Sequence, residues 1–555
     1  MDVVILAAGL ASRLNKFTHD IIPKYLINLD DNTGLYYIIN YWSKYSENIY
    51  LVINSKFNII TKFYINNILK KFINKIIIIN YDTIDGTAYT LNYILNNILN
   101  NELKDRNIKN LLLTWCDLYP NEKINFDLFN NTENINNIII FTHGDKCRYL
   151  LDNNNNIKKS NKCNGNIIGI YYFQNYTPFY LDDNCKNNDI VDYLENIGEI
   201  TNYRLKDIID YGDEEKFLKL IEKNYINENE MRCRYFNDIQ IIDNNKLLKK
   251  GIDDKGKEII QYEKEWYKYI NSLNNNIISN ILPKLYNIYE YGILIEYKDK
   301  HIPIYKFFSN YEKSILKLNN ENEKNIKNAE YNIIKITVLK NILNKVNKLH
   351  NIEIKKESKI IFLNNLKKEI NDKLYERKKI IDDFINYFGN ITTVNNIKIN
   401  TFDNIVDKCK KIIIQYYESL EKYDYSIIFG DCQFSNILIN QDDISDIIFI
   451  DPRGYFGNSI IYGPIEYDYA KILYGISGYD KFNFNYFNIK KIDNESIEFE
   501  INGFYYDENF LNKYFNKVHK AYLVIIWLSL AEYNKNNIWK CLAAYYYGLY
   551  LGTLL

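Results

Sequence analysis

The rhythm of apolar and polar positions changes once along this chain. Up to about residue 225, short unbroken apolar runs recur at Val3–Leu6, Tyr50–Ile53, Lys75–Ile79, Leu111–Thr114, Ile138–Phe141 and Ile167–Tyr172. Such runs, bounded by polar turns, read as strands buried on both faces. Their alternation with helical stretches predicts a mostly parallel, doubly wound α/β sheet. Helices are predicted over Tyr89–Leu99 and Glu214–Lys223, the second closing this part. Polar residues gather at Ile226–Glu230, where a boundary is placed without a Pro/Gly linker. Beyond it come an apolar strand, a turn at Asp243-Asn244-Asn245 and a returning strand, Lys246–Lys250. Val338–His350 has helical periodicity, and apolar strands then end at Phe429 and Ile450. The pattern predicts two domains, 1–225 and 226–555.

Length agrees, since 555 residues exceed what one core supports. A formal charge of −1 gives no long-range pull on nucleic acid or an anionic membrane. The eight cysteines show no CxxC or CxxH pairing and read as reduced thiols of a cytosolic protein. Cys116 and Cys432 stand beside candidate acids but read as small packing residues. The apolar stretch Cys541–Leu555 carries several Tyr and is too short for a bilayer, which predicts a buried terminal helix. The N-terminal run carries Asp2 and meets Arg13, unlike a signal peptide. With 53 Tyr against 7 Pro and 2 Met, the chain has the bias of an A+T-rich genome. Asn153–Asn156 is therefore read only as a loop.

Chemistry concentrates in Ser426-Ile427-Ile428-Phe429-Gly430-Asp431-Cys432-Gln433-Phe434-Ser435-Asn436 and in Phe449-Ile450-Asp451-Pro452-Arg453-Gly454. Asp431 follows a strand and a Gly turn, Asn436 lies at the Asp-x-x-x-x-Asn spacing, and a second strand delivers Asp451. Phosphoryl transfer from ATP uses such a set: one Asp accepts the acceptor hydroxyl's proton, while Asn and Asp hold magnesium on the phosphates. These residues resemble the aminoglycoside phosphotransferase and choline kinase family, and most closely its capsule-biosynthesis branch. The resemblance implies a protein-kinase-like α+β domain with an N-lobe at about 226–305 and a C-lobe at about 306–555. In that branch the loop opens His-Gly-Asp, whereas Phe429 stands here. Tyr467-Asp468-Tyr469-Ala470-Lys471 resembles a helix start whose Asp supports the catalytic loop, and Asp468 is placed at the substrate side. A strand lysine pairs with the ATP phosphates in kinase folds. The resemblance favours Lys249 over Lys250, with Glu263 as its partner; two solvated charges are the alternative. His350 is read as a structural cap.

A second signature opens the chain. Asp2–Leu6 breaks into Ala7-Ala8-Gly9-Leu10-Ala11-Ser12-Arg13-Leu14, and Pro23-Lys24-Tyr25-Leu26 follows. Small residues let backbone amides close around a triphosphate, while Arg13 and Lys24 can neutralise a departing pyrophosphate. The pattern resembles the sugar-phosphate nucleotidyltransferases. Leu6, Ala7, Ala8 and Gly9 would then bind nucleotide. Gly86 and Thr87, in Asp85-Gly86-Thr87-Ala88, would read its base. Asp117, ending the strand Leu111–Thr114, and Asp210, in Asp210-Tyr211-Gly212, would bind metal. Gly165, in Asn164-Gly165-Asn166, would contact the sugar.

Together the two halves predict a bifunctional enzyme. One half phosphorylates a small metabolite, expected to be a sugar, with ATP and Mg2+. The other joins the product to a nucleoside monophosphate from CTP, UTP or dTTP, releasing pyrophosphate and giving an NDP-sugar. The expected partners are small molecules and nucleotides. Choline converted to CDP-choline is the rival within this class, and its kinase pocket would need an aromatic cage. A regulatory binding protein with one inactive domain is the rival outside it.

Overall fold

The computed structural model describes the chain except residues 10–11, 31, 83–85, 95–109, 130–136, 160–164, 175–188, 195–197, 226–236, 244 and 274. Asp85, Asn164, Asn244, the end of the Tyr89–Leu99 helix, Cys163, Cys185, Cys233 and the Ile226–Glu230 boundary lie outside the described residues. The chain forms two compact units. One holds Met1–Glu228 with Asp383–Phe388 and Lys535–Ile538. The other holds Asn229–Asp382, Gly389–Asn534 and Trp539–Leu555.

The first unit is built on a mixed, mainly parallel sheet. Its strand order is Glu199–Arg204, Asn137–Cys147, Gly165–Gln174, Asn110–Trp115, Asp2–Ala7, Ile49–Ile53, Ile76–Asn80. Five of the six apolar runs lie within these strands, and Lys75–Ile79 does so from Ile76 on, Lys75 ending the turn before it. Asp2–Ala7 pairs in parallel with Ile49–Ile53 and Asn110–Trp115, and Gly165–Gln174 runs antiparallel to both its neighbours. Val3, Val4, Ile5, Leu112 and Leu113 are fully buried, as strands covered on both faces require. The helix expected at Glu214–Lys223 runs Glu214–Tyr225, and Gly86 opens the helix Gly86–Ile94.

The second unit begins with an antiparallel sheet ordered Asn237–Asp243, Lys246–Gly251, Gly292–Glu296, Leu285–Tyr289. The helix Asp254–Ser272 buries Ile260, Trp266, Tyr267 and Ile270. A long helix, Glu321–His350, follows, and the hairpin Ile437–Asn440 with Ile447–Phe449 carries the second acid-bearing turn. The terminal apolar stretch is the helix Ile538–Leu554, with Cys541, Leu542, Ala543 and Ala544 at zero exposure. Among the described residues no helix is long and apolar enough to cross a membrane.

Candidate active sites

In the first unit, parallel pairing puts Leu6 opposite Trp115, so both strands end on the same edge of the sheet. Ligands of open α/β sheets bind at that carboxyl edge. Leu6, Ala7, Ala8 and Gly9 leave one strand there, and Cys116 and Asp117 leave the other. A Cβ on Gly9 would meet open space. Lys24 Nζ is bonded to Asp117 Oδ2. Burial works against the charge on Lys24, but Asp117 outweighs it and the pKa rises, while Arg13, exposed nearby, pulls the other way. Burial pushes the Cys116 thiol up to about 12, which leaves it an inert packing group.

Asp210 arrives by a separate route. Ile208–Asp210 pairs antiparallel with Leu118–Pro120, Asp210 opposite Leu118, and Tyr211 N–H donates to the Asp117 carbonyl at 3.0 Å. The two carboxylates then flank Gly212. A Cβ there would lie 2.7 Å from Asp117 Oδ2 and 3.2 Å from Asp210 Oδ1, so a side chain at this position would displace the carboxylates. Asp210 accepts from Gly212 N–H at 2.9 Å and from Lys216 Nζ at 2.6 Å. Among the described residues no group of three or more His, Cys, Asp or Glu is placed to hold a metal alone. Two carboxylates nevertheless fit magnesium, which takes one or two protein carboxylates and completes its shell with phosphate and water.

Two predicted contacts have structural partners of their own. Thr87 Oγ1 lies 3.3 Å from Asp189 Oδ1 and accepts from Ile190 N–H at 3.0 Å, anchoring the start of its helix. Gly165 is buried against the Tyr149 backbone, where a Cβ would come within 2.1 Å of the carbonyl oxygen.

In the second unit Lys249 is buried and Lys250 is exposed, because neighbouring residues on a strand face opposite ways. Lys249 Nζ reaches Glu263 Oε2 at 2.8 Å and Asp451 Oδ1 at 2.9 Å. The solvated-charge alternative for this pair therefore does not describe the fold. Burial opposes the Lys249 charge, but Asp451 and Glu263 raise its pKa overall. Burial first, and then repulsion from Asp451, push Glu263 up against the pull of Lys249. One cation serves two carboxylates. Asp451 itself has φ +58°, a left-handed conformation uncommon outside glycine. Asn436 Nδ2 donates to both the carbonyl and Oδ2 of Asp431, each at 3.1 Å. That turns the amide oxygen away as a hard donor of the kind magnesium takes, with Asp451 as the second.

Asp468 is fully buried. Its Oδ2 accepts from Phe429 N–H at 2.8 Å and lies 3.0 Å from His350 Nε2, and its Oδ1 accepts from Gly430 N–H at 2.6 Å. It holds the loop before Asp431 from beneath and has no surface for a substrate, which corrects its placement at the substrate side. Phe429 packs edge-on against Trp266 at 5.5 Å, and Trp266 Nε1–H donates to the Ile428 carbonyl at 2.9 Å.

Some residues at these sites have no role assigned from the sequence. Lys471, which closes the Tyr467–Lys471 motif, lies with Nζ 2.8 Å from Asp431 Oδ1. Lys216 and Trp266 carried no local signal, because their partners are set by tertiary packing.

No protein-family model matches the chain, and no curated protein matches it. Solved structures do align. HddC from Yersinia pseudotuberculosis, complexed with GMP-PN, is 22% identical, with 40% of this chain and 99% of that chain covered at a TM-score of 0.31. A nucleoside-diphosphate-sugar pyrophosphorylase from Vibrio cholerae is 14% identical, covering 40% and 100% at a TM-score of 0.30. CTP:phosphocholine cytidylyltransferase from Streptococcus pneumoniae is 16% identical, covering 40% and 98% at a TM-score of 0.30. These neighbours are nucleotidyltransferases, aligned with the N-terminal part of the chain.

Proposed function

We propose that this chain is a bifunctional cytosolic enzyme whose second unit phosphorylates a small metabolite from ATP. Its first unit joins the product to a nucleoside monophosphate from a second NTP, with loss of pyrophosphate and an NDP-sugar as outcome. The observation that supports it best is the buried Lys249 bridging Glu263 and Asp451, beside the bonded pair Asp431 and Asn436. Stability alone gives little reason to bury one cation between two carboxylates; phosphoryl transfer needs that cation on the phosphates.

Magnesium, bound through Asn436 and Asp451 in one unit and Asp117 and Asp210 in the other, would supply charge neutralisation on the phosphates. Asp431 orients the acceptor hydroxyl and takes its proton, and Lys249 steadies the ATP phosphates. In the first unit Leu6–Gly9, Gly86 and Thr87 seat the nucleotide, Gly165 lines the sugar side, and Arg13 and Lys24 meet the leaving pyrophosphate. The test is a substrate panel with magnesium, ATP, CTP, UTP or dTTP, and sugars or choline, scored for ADP and pyrophosphate. ADP and pyrophosphate with a sugar are expected. Products only from choline and CTP would move the reading to CDP-choline. Neither product from any mixture would leave the regulatory binding protein.

A further inference from the structure

Behind Asp431 the second unit holds a buried charge cluster that the proposed chemistry does not use. Glu369 lies in a stretch wound as a π-helix, Lys367–Asp372, a local irregularity found disproportionately at functional sites. Its two oxygens share Arg453 Nη2 at 2.9 and 2.8 Å, and the Tyr467 hydroxyl lies 3.2 Å from Oε1. Lys373 Nζ is added to the same carboxylate at 2.7 Å. Two cations thus share one anion, and the Arg377 guanidinium, donating to the Ser529 carbonyl at 2.7 Å, brings a third positive charge nearby. Burial, followed by repulsion from Arg453, lowers the Lys373 pKa to about 7 against the pull of Glu369. In this cluster the cationic side chains outnumber the single carboxylate.

It is also linked to the reacting group through Tyr467 and Lys471. Arg453 Nη1 donates to the Tyr467 hydroxyl at 2.6 Å, and the Tyr467 ring lies 5.8 Å from Lys471 Nζ, the cation on Asp431. The Lys373 side chain keeps 25% of its surface and Arg453 keeps 14%. A clamp between helix and loop would need only Arg453 and Glu369. The extra, partly exposed Lys373 is what a binding site adds.

We propose that the acceptor phosphorylated at Asp431 carries an anionic group, a carboxylate or a phosphate, seated on Lys373 and Arg453. The inference rests on the kinase reading of Asp431 and narrows its substrate class. ADP formation from ATP and magnesium would be compared across matched sets: D-glucose, D-glucuronate and D-glucose 6-phosphate; glycerol, glycerate and glycerol 3-phosphate. An anionic member should exceed its neutral partner in kcat/KM by about tenfold or more, and the preferred member separates carboxylate from phosphate. Lys373→Gln should erase most of that advantage through KM, with kcat nearly unchanged. Preference for neutral members, untouched by Lys373→Gln, would overturn the proposal while leaving the kinase standing. If no member yields ADP, acetylation of Lys373 by acetic anhydride, read by peptide mass, decides the matter. Protection by the anionic members alone would uphold the anion site and remove the kinase reading. Equal labelling with every member would overturn the anion site as well.

Discussion

Asp117 and Asp210 meet through backbone that neither residue controls, and the consequence can be measured. Each carboxylate carries a lysine, and Gly212 lies against both. Asp210→Ala should cut nucleotidyl transfer by about two to three orders of magnitude, the scale of losing one well-placed electrostatic partner. The magnesium requirement should rise with it. Titrating pyrophosphate release against magnesium checks both; full retained activity would pass the second-ligand role to Asp207 or Asp213. Lys249 shows what can be read at this scale. The sequence resemblance favoured Lys249 over its neighbour, and the fold buries Lys249 while leaving Lys250 exposed.

At the scale of the element, the helix Lys517–Tyr533 has a reciprocal cap. Asn516 Oδ1 accepts from Val518 and His519 N–H, and His519 Nδ1 accepts from Asn516 N–H at 3.0 Å. Burial lowers the His519 pKa from its ordinary 6.5 to about 4. The folded state therefore binds this proton less readily than the unfolded chain. Its contribution is complete above about pH 6.5 and is lost as pH falls toward 4, by about 3 kcal/mol in all. His519→Gln keeps the capping geometry and removes the titration. Chemical denaturation of the two proteins at pH 7 and pH 4.5 should show a smaller acid loss in the variant; equal losses would rule out His519 as the source. Strands and helices were readable at this scale because period-2 and period-3.6 patterns are local. The π-helical turn at Lys367–Asp372 was not, since no periodicity announces it.

On the scale of the whole molecule, the acids proposed for the two reactions belong to separate compact units. Asp431→Asn should abolish ADP formation while leaving pyrophosphate release from a supplied phospho-substrate within about twofold, as sites that share no partner add. Loss of both activities in a folded variant, checked by circular dichroism, would refute the two-site reading.

What this sequence determined alone is what neighbours along the chain can settle. Apolar runs place the strands, and the turns that end them carry Asp117, Asp431 and Asp451. Tertiary structure decided what depends on contacts across long separations. Asp117 meets Asp210 through the antiparallel pairing of two short strands. Lys249 meets Asp451 although some two hundred residues intervene, and Arg453 and Lys373 both reach Glu369, one from a loop and one from a helix. Buried charges are stable only where an opposite charge or hydrogen bond compensates them. Which partner fills that role is fixed by packing, and no local pattern encodes it.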